Sequence, residues 1–398
     1  MSAAGASRVT RSSLKIGNES ADLDSLCSAL LLAYLRTHTP PHHTLHIPLS
    51  NLPRPDLALR PELTAVLAPA GLRPDDLITL SDLPPRGALE PRQDKGAVVV
   101  GCIDHHDDEG FVPRELEPGQ PRVIERCGSC ASLVVEHCRE AWDALAHADG
   151  PGLTTCDDGT PAAECDVHLG HLALAPILVD TAALMADDKT TEVDVKVVEW
   201  LEGRMLASQA SSATSASTTA TAYDRAMFYS TLTRLKTSLQ GLSYRDVLRK
   251  DYKRWSEGGD APLAVGISSV PRSLTDTIRE AGDNKEDRPS FFAALRAWAE
   301  EQQLDVAAVM TVFPVESGGI ARELLIWGVN GRGAGVVGEF VRRFGGKLGL
   351  EKWDGEEMDE GGEGQEEWRV CWRQGEVRCS RKQVAPMLRE AMKVVARL

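Results

Sequence analysis

Between positions 207 and 222 the chain reads Ala-Ser-Gln-Ala-Ser-Ser-Ala-Thr-Ser-Ala-Ser-Thr-Thr-Ala-Thr-Ala, too small and too polar to bury a face. No core can run continuously through such a stretch, so it is expected to be a linker or insertion with a folded domain on each side. The 398 residues leave ample length for both. Ahead of it, short β-rich runs alternate with helical patterns: 13–16, a helix from 25 to about 36, then 97–103, 122–124, and helices from Ser129 and His168. That alternation predicts an α/β domain with a mainly parallel sheet over 14–206, preceded by a loose tail at 1–13. Behind it, a helix near 223–239, strands near 263–270, 305–312 and 323–329, and helices near 291–302 and 382–398 predict a second α/β or α+β domain over 223–398.

Charge excludes a nucleic-acid binder. The 59 acidic and 44 basic side chains leave a formal charge of -15. Eight of those acids lie within 354–367 with no basic partner, a run expected to be a solvated loop, and elsewhere the excess is only about -7. The longest strongly apolar run, 172–179, is far short of the roughly 20 residues of a membrane helix. Nine cysteines without framework spacing predict reduced thiols and a cytoplasmic protein.

Three segments concentrate chemistry. Gly17-Asn18-Glu19-Ser20-Ala21-Asp22-Leu23-Asp24-Ser25 sits where a strand gives way to an apolar helix. Two carboxylates that close repel unless protons or hard cations lie between them, although Asp24 or Ser25 could equally cap the helix. Ile103-Asp104-His105-His106 follows an apolar strand. A neutral imidazole there can ligate Mn2+ or a similar ion, while its neighbour holds an anionic oxygen. The apolar run 175–179 ends in Asp180, a third acid able to reach the same ions. In the second domain, Leu248-Arg249-Lys250-Asp251-Tyr252-Lys253 and Ser380-Arg381-Lys382 concentrate cations, the latter at a helix start suited to phosphate. Acids and histidines in one domain with cations in the other predict a metal-dependent phosphoryl hydrolase working in the cleft between them.

Taken in order, these motifs, with Gly-Ser-Cys-Ala-Ser-Leu-Val at 128–134, Leu-Val-Asp-Thr-Ala at 178–182 and Ser-Arg-Lys-Gln-Val-Ala-Pro at 380–386, resemble the DHH phosphoesterase superfamily. Within it, the chain is similar to the fungal exopolyphosphatase branch, related to prune-type proteins and family II inorganic pyrophosphatases. The resemblance implies an N-terminal DHH domain, a C-terminal DHH-associated α/β domain and an active site in the interdomain cleft. It implies two divalent ions, Mg2+ or Mn2+, with Asp22, Asp24, His105 and Asp180 as metal ligands. Asp104 and His106 would be catalytic, with His106 facing the scissile phosphate, and Asn18, Arg249, Lys250, Lys253, Arg381 and Lys382 would hold inorganic polyphosphate. Asn18 stands where the pyrophosphatases carry a metal-binding His, which tilts the reading toward exopolyphosphatase and Mg2+. The implied reaction is release of terminal phosphate by water activated between the two ions.

One family feature is missing: a strand ending in Val-Asp-His-Asn, whose Asp bridges both ions, is not found between the first motif and Asp-His-His. Hydrolysis of pyrophosphate or small phosphoesters, and a non-catalytic prune-like interaction protein, therefore stay open as alternatives. Two other motifs are read structurally. Gly333-Ala334-Gly335-Val336-Val337-Gly338 matches a dinucleotide fingerprint but lacks the following strand and acid. Cys127-Gly128-Ser129-Cys130 lacks a second cysteine pair for zinc, and Ser129 is expected to cap a helix.

Overall fold

A computed structural model describes residues 11–18, 20–39, 44–83, 101–108, 110, 112–146, 162–212, 223–259, 261–282, 288–315, 318–353 and 358–397. The chain divides into two compact units, Met1–Lys236 and Thr237–Leu398.

The first unit runs β1 (Arg11–Ile16), α1 (Leu23–His38), β2 (Thr44–Leu49), α2 (Pro61–Leu67), β3 (Cys102–Asp104), β4 (Arg122–Ile124), α3 (Cys130–Ala146), α4 (Ala162–Asp180), α5 (Glu192–Ser212) and α6 (Arg225–Thr237). Its main core joins Leu31 and Leu35 of α1, Val135 and Trp142 of α3, Leu174, Ile177 and Leu178 of α4, and Leu201 and Met205 of α5. A central position explains the composition of α4: residues 173–178 are all buried, so the helix is apolar all round rather than on one stripe. Helix α6, expected to open the second domain, belongs here, because Leu232 is buried beside Leu26, Leu63 and Ala175 with Phe228 packed against them. Helix α5 continues to Ser212, into the small-residue stretch; 213–222 lie outside the described residues.

Strand directions in this unit are parallel as expected, but the described strands form two separate pairs, β1 with β2 and β3 with β4, instead of one sheet. The expected beginning of the strand at 97–103 lies outside the described residues, as does all of 84–100. Strand β1 leaves Leu14 and Ile16 52% and 53% exposed, unlike the strands of a parallel sheet covered on both faces.

The second unit contains α7 (Tyr244–Lys250), β5 (Tyr252–Glu257), β6 (Leu263–Val270), α8 (Leu274–Glu280), α9 (Arg288–Glu301), β7 (Val306–Thr311), β8 (Phe313–Pro314), β9 (Ile320–Ala321), β10 (Glu323–Gly328), α10 (Gly331–Leu348), β11 (Leu350–Lys352), β12 (Glu360–Gly361), β13 (Trp368–Gln374) and α11 (Arg381–Val395). Its seven-stranded sheet has the order β11-β13-β10-β7-β6-β5, with β12 on β13. In this sheet β6 and β7 pair in parallel, their connection carrying α8 and α9 across it, while the other ladders are antiparallel. Of the two readings of this domain, α+β is the one observed. Period-two alternation feeds two cores: Val306, Ala308, Leu324 and Ile326 face α10 and α11, while Ala307, Val309, Leu325 and Trp327 face α7 and α9.

The glycine-rich run serves packing. A Cβ on Gly333 would lie 2.0 Å from the Asp305 carbonyl oxygen, and Asn330 caps α10 by accepting from Gly333 N at 2.8 Å. Gly333→Ala is expected to cost about 3 kcal/mol or more by forcing helix and strand apart, lowering the second unit's unfolding midpoint by about 6–12 °C in calorimetry. The acidic run is more than a solvated loop: Met358 is buried, Glu360 lies opposite Arg369, and Glu367 accepts from Trp327 Nε1 at 3.1 Å. Cysteines 27, 102, 127, 130, 138, 371 and 379 are free, whereas Cys165 is disulfide-bonded, so the expectation of uniformly reduced thiols fails there. No described helix is long and apolar enough to cross a membrane.

Candidate active site

The loop after β1 is built for close approach. A Cβ on Gly17 would meet Ser25 at 2.7 Å, so only glycine lets the strand end touch the start of α1. Ala21 has φ +44°, a left-handed conformation held from several sides. Asn18 accepts from Ser20 N through Oδ1 at 2.9 Å, Asn51 Nδ2 donates to the Gly17 carbonyl at 3.0 Å, and Arg60 Nε donates to the Ala21 carbonyl at 3.2 Å.

Asp22, not Asp24 or Ser25, caps α1, accepting from Ser25 N at 3.0 Å. Asp24 is buried and turns its carboxylate to the start of a different helix, α3. There it accepts from Ser129 Oγ at 2.6 Å, Cys130 N at 2.8 Å and Ala131 N at 3.0 Å. Ser129, expected to be the cap of α3, is instead a donor to the true cap.

His105 stands at the end of β3 with its two ring nitrogens in different surroundings. Nδ1 lies 3.1 Å from the Cys127 carbonyl, which can only accept, so Nδ1 carries the hydrogen. Nε2 faces Asp24 Oδ2 at 3.6 Å. His106 is held from the other side: Asp104 Oδ1 accepts from its backbone N at 3.1 Å and its Nδ1 at 2.8 Å. Burial would raise the Asp104 carboxyl, but these bonds outweigh it and hold the acid below its usual range. Asp104, His105 and His106 offer ligand atoms within 4.8 Å of one another.

Asp180 ends α4. Burial first, then the charges of Asp24 and Asp22, pushes its carboxyl up to about 8 against the opposing charges of Lys236 and Lys189. Burial likewise raises Asp24, with Ser129 and His105 pulling the other way. Carboxylates that repel one another beside an imidazole form a donor set that a hard divalent cation fits. The sequence-predicted ligands Asp24 and His105 thus face each other, and Asp22 and Asp180 act electrostatically on the same place. Lys189 and Lys236 escaped sequence reading because nothing local marks them. Immediately after Thr181, Ala182, Ala183 and Leu184 take φ of +50°, +57° and +70°, a left-handed turn leading toward Lys189.

The cysteine pair has no zinc geometry. Cys127 Sγ meets Asp194 Oδ1 at 3.1 Å while Cys130 Sγ meets the Ile103 carbonyl at 3.3 Å, and burial raises both thiols.

In the second unit, Arg381 brings its two cationic motifs together by donating from Nη1 to the Asp251 carbonyl at 2.9 Å and from Nη2 to Asp251 Oδ1 at 2.7 Å. Ser380 and Gln383 form a capping box at the start of α11, which leaves Lys382 exposed in its first turn. Arg249 is paired with Asp246 at 2.8 Å, Lys250 ends α7, and Lys253 lies on β5 opposite Ile267.

Comparison with known proteins agrees across nearly the whole chain. The DHH family N-terminal domain matches residues 14–154, and the DHHA2 domain matches residues 230–391. A protein of Schizosaccharomyces pombe named "Putative exopolyphosphatase" is 32% identical over 396 residues, covering 96% of this chain and 91% of that protein. "Exopolyphosphatase PRUNE1" of Homo sapiens is 24% identical over 318 residues, and that of Mus musculus 26% over 314; each alignment covers 75% of this chain and 59% of the relative.

Proposed function

The chain belongs to the DHH/DHHA2 phosphoesterase family, and from that premise we propose that it is a metal-dependent exopolyphosphatase releasing terminal phosphate from inorganic polyphosphate. The observation that carries the proposal is His105 Nε2 facing Asp24 Oδ2 at 3.6 Å, with Nδ1 occupied by the Cys127 carbonyl. Asp22, Asp24, His105 and Asp180 are the proposed holders of Mg2+ or Mn2+. A bound divalent cation would lower the pKa of water and polarise a phosphoryl oxygen. Asp104 fixes the His106 tautomer so that the exposed ring can present Nε2 to a phosphate oxygen. Asn18, its amide oxygen engaged by Ser20, keeps the amide nitrogen to meet another. In the second unit, Arg249, Lys250, Lys253, Arg381 and Lys382 are assigned to the charges of the polyanion. The names of these relatives favour polyphosphate over smaller phosphoesters.

The test is phosphate release by the full chain from long polyphosphate, pyrophosphate and a cyclic nucleotide, with Mg2+, Mn2+ or a chelator. Phosphate leaving long chains one unit at a time, and stopping on chelation, is the expected result. Early products of random intermediate length would contradict it, and a folded chain silent on all three substrates would favour the interaction-protein reading left open by the missing Val-Asp-His-Asn strand.

Ion binding should also depend on pH. Ligation needs the deprotonated carboxylate, and Asp180 keeps its proton up to about 8, so protons compete with the ion below that pH. The apparent Mn2+ affinity is expected to rise about tenfold per pH unit from pH 6 and to level near 8. Titrations followed by electron paramagnetic resonance would show it, and a flat profile would remove Asp180 from the ligand set.

A further inference from the structure

Helix α5 begins with a capping box. Asp194 accepts from Thr191 N and Thr191 Oγ1, both at 2.8 Å, as the third residue of a first turn commonly does at a protein surface. This one is 0% exposed, and its carboxylate reaches beyond its own helix. It accepts from Gly128 N at 2.9 Å, Ser132 Oγ at 2.6 Å and Cys127 Sγ at 3.1 Å, three donors within the turn that opens α3. The opposite side of that turn touches the proposed ion holders. The Cys127 carbonyl orients His105, and Ser129 Oγ, Cys130 N and Ala131 N orient Asp24. There is no slack between them: a Cβ on Gly128 would lie 2.7 Å from Asp194 Oδ2 and 2.5 Å from Thr181, the neighbour of Asp180.

We infer that Asp194 is a positioning residue for the ion site, fixing from behind the one turn on which both His105 and Asp24 depend. The inference rests on the ion-holding reading above and adds a residue that contacts neither ion nor substrate. A carboxylate suits the task because it accepts from all these donors at once, whereas an amide of the same shape must present an NH2 group to one set of them. Outer-shell partners of this kind commonly change metal affinity by about 10–100-fold when removed.

The test compares Asp194→Asn with the unchanged chain and with Asp166→Asn as a control. Asp166 is a half-buried anchor of the same unit, accepting from Trp142 Nε1 at 2.7 Å and Arg204 Nε at 2.8 Å, away from the 127–132 turn. Mn2+ affinity is measured by paramagnetic resonance at a temperature where thermal melts show all three folded, and the His105 tautomer by nitrogen NMR. Asp194→Asn is expected to bind Mn2+ about 10–100-fold more weakly and to lose the fixed Nδ1–H form of His105, while Asp166→Asn changes only the melting temperature. Equal affinity in the folded Asp194→Asn protein would reduce Asp194 to a plain helix cap and overturn the inference. Where Asp194→Asn does not fold, Ser132→Ala removes one of the same bonds, and an affinity loss under about threefold there overturns it equally. An unchanged chain that binds no Mn2+ would overturn the ion reading itself, and this inference with it.

Discussion

Asp24→Asn is expected to lower polyphosphate hydrolysis by about a thousandfold or more while the protein stays folded, and Asp24→Ala to lower activity equally but also to destabilise the first unit by about 3–5 kcal/mol. The two effects separate because Asp24 does two jobs with one carboxylate. As an acceptor it satisfies Ser129 Oγ, Cys130 N and Ala131 N at a buried helix start, and alanine leaves all three donors without it. Asparagine keeps one oxygen of the right reach, so part of that cap survives. As a charge it faces His105 and opposes Asp180, and that role ends in both variants. Loss of an ion-holding charge removes several kcal/mol of transition-state stabilisation, which at about 1.4 kcal/mol per decade exceeds what the cap alone could contribute to rate. Phosphate-release rates beside denaturant melts decide the matter. An Asn variant retaining more than a tenth of the activity would make Asp24 a structural cap only.

That double role also marks the limit of what the sequence discloses. Asp22, Asp24, Asp104, His105, His106 and Asp180 were legible because each sits where a predicted strand or apolar run stops, and such ends can be read locally. Which helix Asp24 caps was not, because its partners lie more than a hundred residues away. A separation of 62–67 residues likewise hid Asp194, whose Thr191-x-x-Asp194 spacing announces an ordinary capping box and nothing of the turn behind it. In the second unit β6, β7 and β10 were readable from their apolar runs, whereas β5, β11, β12 and β13 were not, and a run buried on both faces carries no sign of its direction. That helix α6 packs in the first unit's core was not legible, because Phe228 and Leu232 announce an apolar face without naming the core it joins.

The second large effect distinguishes the two adjacent histidines. His105→Ala is expected to weaken Mn2+ binding and to abolish hydrolysis, whereas His106→Ala should keep Mn2+ affinity within about twofold and lower kcat by about 10²–10⁴. Sequence makes the two rings equivalent; their anchors do not. The Cys127 carbonyl takes the Nδ1 hydrogen of His105 and aims Nε2 at Asp24, the arrangement of a ligand. Asp104 takes the Nδ1 hydrogen of His106 and leaves the far side of an exposed ring open, the arrangement of a group that meets an anionic oxygen. Asp104→Asn should therefore follow His106→Ala in kcat and spare Mn2+ affinity, since only the orientation of His106 is affected. Ion titrations and steady-state kinetics on the three variants give six values with one expected pattern. If His106→Ala or Asp104→Asn lost Mn2+ while His105→Ala kept it, the ion would belong to an Asp104–His106 site, and the assignment of Asp24 and Asp180 as its holders would fall.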